Sequence, residues 1–263
     1  MSSIELSFWD IGLGALMMAL LAGLLASYRL GVSKTLLIAS ARLVLQLWII
    51  GKVLGFLFEE GHEWYIPIMA LVMLLVGGRE IMARQKRRLK GWYSWGLGMA
   101  TLCVCSFAVA LFGLLVVVRP EPWYVPQYSI PLLGMIMSNT MSAVSLAMDR
   151  LSSALYENRA VIEQRLALGE SGSDAIRGYA RDCVRTGIMP VVNSMATAGL
   201  VSLPGMMTGQ ILAGEDPERA VMYQIMIWFL IAGGTGFGIV LSLKLMSRRL
   251  FDERMRLRLD RLG

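Results

Sequence analysis

The densest set of chemically useful groups lies between Asn193 and Gly209, where the chain reads NSMATAGLVSLPGMMTG. Pro204 lacks a backbone N–H and crowds the preceding turn. Gly205 and Gly209 loosen the helix after it. In hydrocarbon, broken backbone is tolerated only where it is buried in protein or faces a watery cavity. Discontinuous helices of this kind present unpaired carbonyls and helix ends to a passing ion or polar group. The expectation is that Ser202, Pro204, Gly205, Met206, Met207 and Thr208 line or gate a route across a membrane. A kinked helix packed closely on a neighbour through its small residues is the alternative.

Other polar groups fall inside apolar runs and are candidates for the same route. Arg42 and Gln46 are four apart, hence on one helical face. Asn139 lies within a long uncharged stretch, and Asn193, Ser194 and Thr197 precede the break. Such groups are costly in lipid and tend to face a helix bundle. Gln46 and Asn139 could equally serve as inter-helix hydrogen-bonding groups, and Arg42 could snorkel to an interface.

Several chemistries find no residues. His62 is the single histidine, so no histidine cluster exists for zinc or haem. Cys103 and Cys105, two apart on a helix, point ~200° away from each other, and Cys183 is solitary; all three are expected to be packing residues. No Walker A sequence occurs: Gly51-Lys52 is followed by Val53, with no phosphate-cradling loop before it. Any ATP-driven work needs a second polypeptide. The 19 methionines, among them Met135, Met137, Met141, Met206 and Met207, are either soft-metal ligands or adaptable packing residues. The metal ligands, if any, remain open.

A second constellation occupies Asp149–Arg185, which holds six arginines. ENRAVIEQRLAL has a helical pattern with Val161, Leu166 and Leu168 apolar. Gly169 suits a helix end. A new helix then begins, with Ser173 as its expected cap and Asp174 in its first turn; Ile176, Ala180, Cys183 and Val184 form its apolar side. Glu163, Arg165, Leu168, Gly169, Ser173, Ile176 and Arg177 are the residues expected to meet a soluble partner. A solvated amphipathic hairpin without a partner is the other reading.

The elements that must hold these groups are membrane helices. Of 263 residues, 56% are hydrophobic and 17% charged, and mean hydropathy is +0.59. Leu13–Tyr28, Leu43–Ile50, Trp92–Val118 and Pro122–Met148 carry no charge, and a helical span needs about 20 apolar residues. The fold class is therefore an all-α integral membrane protein. Seven spans are predicted, at about 6–28, 36–58, 64–83, 94–118, 127–148, 186–214 and 219–246. Residues 1–263 are taken as one transmembrane domain, with 149–185 a cytoplasmic coupling region. MSSIELSFWD lacks a basic n-region, so it is not read as a cleaved signal. The net charge of +6 speaks for topology rather than nucleic-acid binding. Basic residues gather in Arg84–Lys90, in Asp149–Arg185 and after Lys244, which predicts an outer N-terminus and a cytoplasmic C-terminus. Trp9, Trp64, Trp92, Trp95, Trp123 and Tyr124 fall near predicted span ends, as interfacial rings do. The tail 247–263 is expected to be a basic amphipathic helix carrying Phe251, Met255, Leu259 and Leu262 on one face, either lying on the inner leaflet or solvated.

Across nearly its whole length the chain resembles the FetB (YbbM-type) family of ABC-transporter permeases. GLVSLPGMMTGQILAGEDPERAVMYQI from Gly199 carries the resemblance, with IPLLGMIMSNTMSAV from Ile130, ARLVLQLWIIGKVLG from Ala41 and LALGESGSDAIR from Leu166. EQRLALG also resembles, with longer spacing, the Glu-Ala-Ala…Gly coupling loop of importer permeases. The resemblance implies a bacterial inner-membrane permease that exports iron or another metal and is not itself an enzyme. It implies a homodimer working with a separate FetA-like ATPase, which would use ATP and magnesium; no cofactor is expected in this chain. Export of a lipid or organic conjugate, and a non-transporting membrane scaffold, are the alternatives.

Overall fold

The computed structural model describes residues 7–60, 64–122, 125–252 and 254–263. His62, Trp123 and Tyr124 lie outside the described residues. The described chain is helical, without strands, as hydrocarbon demands of a backbone that must satisfy its own polar groups. Among the described residues, six helices are long and apolar enough to cross a membrane. The chain divides into two compact units, Met1–His62 and Glu63–Gly263.

The first unit is a helical hairpin, α1 Phe8–Ser27 and α2 Ser33–Glu60. The Ser7 N–H donates to the Asp10 carboxylate at 2.8 Å, closing the start of α1. Arg42 and Gln46 sit on α2, both exposed.

The second unit holds α3 Tyr65–Ala83, α4 Trp92–Thr101, α5 Ala108–Phe112, α6 Pro126–Glu157, α7 Arg159–Ala167, α8 Gly172–Ala175, α9 Arg177–Thr197, α10 Gly205–Leu212 and α11 Pro217–Leu250. Wide π-helical turns at Leu102–Phe107 and Gly113–Val118 continue α4 and α5 into one span, Trp95–Val118. Cys103 is exposed and Cys105 buried, on opposite sides.

Glycines set the packing. A Cβ at Gly238 of α11 would lie 2.6 Å from Thr140 Cγ2 and 3.2 Å from Val144 Cγ2 of α6, and one at Gly234 would lie 2.8 Å from Ile136 Cγ2. The Gly234-x-x-x-Gly238 spacing lets the two helices approach closely, running in the same direction. Gly187 of α9 faces both, its Cβ position 3.0 Å from Ile239 Cδ1 and 3.1 Å from the Ala143 carbonyl. Gly77 and Gly78 of α3 receive Leu102 and Met99.

Those contacts fix directions: α3, α6 and α11 run one way, and α4 and α9 return. The basic segments consequently share one end of this unit. The Lys86 N–H donates to Asp149 Oδ1 at 2.7 Å, the Lys90 N–H to the Arg261 carbonyl at 2.7 Å, and the Gly263 N–H to the Arg88 carbonyl at 2.7 Å. The Arg87 guanidinium stacks 3.3 Å from the Tyr156 ring centroid.

One expectation needs correction. The tail is not an amphipathic helix: α11 stops at Leu250, and beyond it the described residues hold one 3-10 turn, Leu259–Arg261. The cause is Asp252, whose carboxylate accepts the N–H groups of Arg254 (3.0 Å) and Arg256 (2.8 Å), offering the backbone a turn in place of a helix. Phe251 and Leu257 then pair across that turn, and Leu262 is buried against the 84–90 linker through its pairing with Leu89. The predicted sixth span, 186–214, is interrupted at the proline and glycines that mark a break in its sequence. It is divided between α9, a seven-residue connection at 198–204, and α10.

The glycine seam should be sensitive to size. Gly238→Val should overpack it and destabilise the protein by about 1–3 kcal/mol. Gly236→Ala should leave stability unchanged, since only Ile188 Cδ1, at 3.9 Å, lies near its Cβ position. Thermal unfolding of the two variants in detergent checks this.

Candidate functional site

The break starts where α9 runs out of hydrogen-bonding partners. Thr197 Oγ1 turns back to the Asn193 carbonyl at 3.0 Å, and the Thr197 carbonyl accepts the N–H groups of Leu200, Val201 and Ser202 together. Gly199, at φ +83°, takes the left-handed conformation this turn requires and donates to the Ser202 carbonyl at 2.9 Å. Pro204 caps α10, and its carbonyl accepts both the Thr208 N–H (3.0 Å) and Thr208 Oγ1 (3.1 Å). Among the described residues, no backbone N–H points at the carbonyls of Leu200, Val201 and Leu203.

The depth of this turn is set by the packing. Thr197 is ten residues, about 15 Å, along α9 from Gly187. On the antiparallel α11, Pro217 is about 33 Å from Ile239, the neighbour of Gly187. The turn thus falls alongside the apolar run Ala220–Leu243 rather than beyond it, in the half of that run away from the basic end.

Its exposure is unexpected for a core element. Leu200 is 90% exposed, and Val201, Ser202, Leu203 and Gly205 are exposed with it. Asn193, Ser194 and Thr197 form an exposed polar strip on the last turns of α9. Met207 is the anchor, 7% exposed, while Pro204, Met206 and Thr208 are half-buried. Asn139 does not reach the turn: its amide nitrogen donates to the Met135 carbonyl of its own helix at 2.8 Å. Gln46 belongs to the other unit.

The second constellation is built at the basic end. The transmembrane helix α6 overruns its predicted end at residue 148 and continues to Glu157. Leu151 and Leu155 of that overhang are buried, as are Ile162 of α7, Ile176 and Cys183. Ile162 is the α7 core residue in place of Val161, which is exposed; the four-residue spacing to half-buried Leu166 was the available signal. Gly169 takes φ +93° and ends the α7 turn. Leu168 beside it is 85% exposed at the tip.

Arg165 braces this turn. Its guanidinium meets Glu170 at 3.0 Å and donates to the Ala175 carbonyl at 3.0 Å, tying α7 to α8. The cap of α8 is Ser171, not Ser173: the Asp174 N–H donates to Ser171 Oγ at 3.2 Å, and Ser173 Oγ lies 2.9 Å from Ser171 Oγ. Asp174 is held below the usual carboxylate range, first by the Ser171 hydroxyl and then by Arg177. Its contribution is full at neutral pH and is lost as pH falls through that lowered value. Glu163 pairs with Arg159 at 2.7 Å on the exposed side. Gly172 fits under Phe251, whose ring lies 2.9 Å from its Cβ position.

The two constellations share a helix. α9 runs unbroken from Arg177 at the hairpin to Thr197 at the turn, about 31 Å. Further groups carry no signal in the residue order: the hydroxyls of Thr101, Ser106, Thr140 and Thr235 are buried without a hydrogen-bond partner among the described residues, Thr101 and Thr140 against the glycine seam.

Among the described residues no group of three or more His, Cys, Asp or Glu could hold a metal ion. The polar atoms at the turn are neutral: carbonyls, hydroxyls, one amide and thioethers.

Fold and site together define an all-helical integral membrane protein with an interrupted membrane helix. The chain belongs to UPF0014, described as an uncharacterised protein family, whose model matches residues 8–251. It is 37% identical to the UPF0014 membrane protein slr1647 of Synechocystis over 97% of both chains. It is 30% identical to the probable iron export permease protein FetB of Escherichia coli over 92% of each. It is 31% identical to the protein ALUMINUM SENSITIVE 3 of Arabidopsis thaliana, over 87% of this chain and 82% of that one. No solved structure matches.

If Arg165 holds the α7–α8 turn, Arg165→Ala should speed backbone hydrogen exchange at 168–175 by about tenfold, the loss expected for a charge-assisted hydrogen bond. Exchange in α11 should not change.

Proposed function

We propose that this chain is the membrane subunit of an ATP-driven exporter of a metal ion or metal complex. It works as a homodimer with two copies of a separate cytoplasmic ATPase, FetA-like in kind, which uses ATP and magnesium. The basic end, with the hairpin, faces the cytoplasm, in keeping with the charge bias of the linkers; in a bacterium this is the inner membrane.

The observation that carries the reading is the polar strip Asn193, Ser194, Thr197 and Ser202, with the open carbonyls of Leu200, Val201 and Leu203, on an exposed face at membrane depth. Lipid cannot satisfy those groups. A second copy of the chain facing them across a polar passage can. The similarity to the E. coli probable iron export permease supports a metal as cargo.

The hairpin supplies the drive. The ATPase docks around Glu163, Arg165, Leu168, Gly169, Ser173 and Arg177, with Ile176 buried beneath them as part of the hairpin's own core. Closure of the ATPases on ATP pushes this braced turn, and α9 carries the displacement to Ser202–Thr208. There the turn opens or closes the passage, with half-buried Met206 offering a thioether to a soft or borderline cation and Met207 anchoring the turn. This chain performs no covalent chemistry.

A second reading, export of a lipid or organic conjugate, is favoured by the lack of an acidic cluster among the described residues, since hard cations prefer oxygen anions.

Cells that express the chain with its ATPase should hold less total iron than cells without the pair, as measured by mass spectrometry of cell digests. Gly205→Leu should abolish the difference, and Leu168→Asp should abolish co-purification of the ATPase. Unchanged metal content, with ATPase activity stimulated by an amphiphile instead, points to the second reading. Efflux that survives Gly205→Leu while the partner stays bound points to a scaffold.

A further inference from the structure

A groove at the basic end lies between the start of α9 and the end of α11. Its volume is about 690 Å³. Ile176 and Val184 line one wall, and Val240, Leu243, Lys244 and Arg248 the other. Val240, Lys244 and Arg248 are four apart, so they lie along one face of α11.

Polarity changes along this groove in one direction. Val184 and Val240 stand at the end nearer the membrane centre. The uncharged run of α11, Ala220–Leu243, ends at Lys244. Its 24 residues span about 36 Å, slightly more than a hydrocarbon core. Lys244 and Arg248 are thus the first two cations that α11 brings to headgroup depth. Neither has a hydrogen-bond or ion-pair partner among the described residues. Asp252, the one acidic residue lining the groove among the described residues, is already engaged by Arg256 at 2.8 Å and by two backbone N–H groups. Phe251 closes the aqueous end against Gly172.

We propose that this groove binds one anionic phospholipid of the inner leaflet, its phosphate held by Lys244 and Arg248 and the upper part of an acyl chain lying along Val184, Val240 and Leu243. The order apolar wall, then unpaired cations, then a closed polar end matches the order acyl chain, phosphate, headgroup. Basic grooves between membrane helices recognise such lipids by the same physics. The proposal rests on the orientation given under the proposed function and not on the transport reading, so efflux can fail while the lipid site stands.

Native mass spectrometry of the purified full-length chain tests it, with phosphatidylglycerol, phosphatidylcholine and soluble glycerol phosphate as probes. Phosphatidylglycerol should be retained about tenfold or more over phosphatidylcholine. The Lys244→Gln/Arg248→Gln pair should remove most of that preference. The Lys86→Gln/Arg254→Gln pair, which loses the same charge at the same end outside the groove, should keep it. Val240→Trp, which fills the groove and keeps both cations, should also reduce retention. Equal losses in the two charge pairs, or full retention in Val240→Trp, would overturn the proposal in favour of a diffuse surface charge. Displacement by glycerol phosphate at equal concentration would overturn it in favour of a free-anion site. No preference for phosphatidylglycerol in the wild type would leave the groove to a protein surface and also overturn it.

Discussion

Every polar group of a backbone in hydrocarbon needs a partner, and the rest of this structure depends on how that requirement is met. Continuous helices meet it internally. The turn at 198–204 meets it only in part: Thr197 accepts three N–H groups, while the carbonyls of Leu200, Val201 and Leu203 stay open. A segment in that state is stable at membrane depth only with protein or water against it. The apolar side chains around it do not relieve the need, because they leave the carbonyls where they are.

The hairpin at the basic end and the interrupted helix are mechanically one object. α9 begins beside the capped, Arg165-braced turn and ends in the interruption, and Gly187 presses its middle against α6 and α11. A push at the hairpin travels along one continuous helix, in which Pro190 removes a single backbone hydrogen bond. The overhang of α6, the 84–90 linker and the tail tie the basic end into a single platform through backbone hydrogen bonds and the Arg87–Tyr156 stack. Pair packing through glycine leaves little slack in the seam, which suits elements that switch between two arrangements rather than flexing continuously.

Much of this was legible in the sequence because membrane helices announce themselves by length and apolarity. The helical class, the interruption at Pro204-Gly205, the hairpin and the gathering of basic segments could all be read from residue order. The features that escaped depended on local competition. Asp252 diverts the tail from a helix by accepting backbone N–H groups, a contest that periodicity does not register. Ser171 and Ser173 are both plausible caps, and only geometry selects Ser171. Ile162 escapes a reading by composition because Val161 and Leu168 are equally apolar, and only its four-residue spacing to Leu166 separates it from them. The Gly234-x-x-x-Gly238 spacing is visible in the residue order, but its meaning depends on which helix comes near.

The central claim is that the interruption faces a polar or protein-lined interior. A spin label at Ser202, in a chain whose three native cysteines are replaced and which is reconstituted in lipid with its ATPase, tests it most directly. Collision with a water-soluble nickel chelate is compared with collision with dissolved oxygen, using a label at Phe229, an exposed position on α11, as the lipid-facing reference. The account predicts that the Ser202 label is either reached by nickel or shielded from both relaxants. High oxygen and low nickel accessibility at Ser202, matching Phe229, would contradict it.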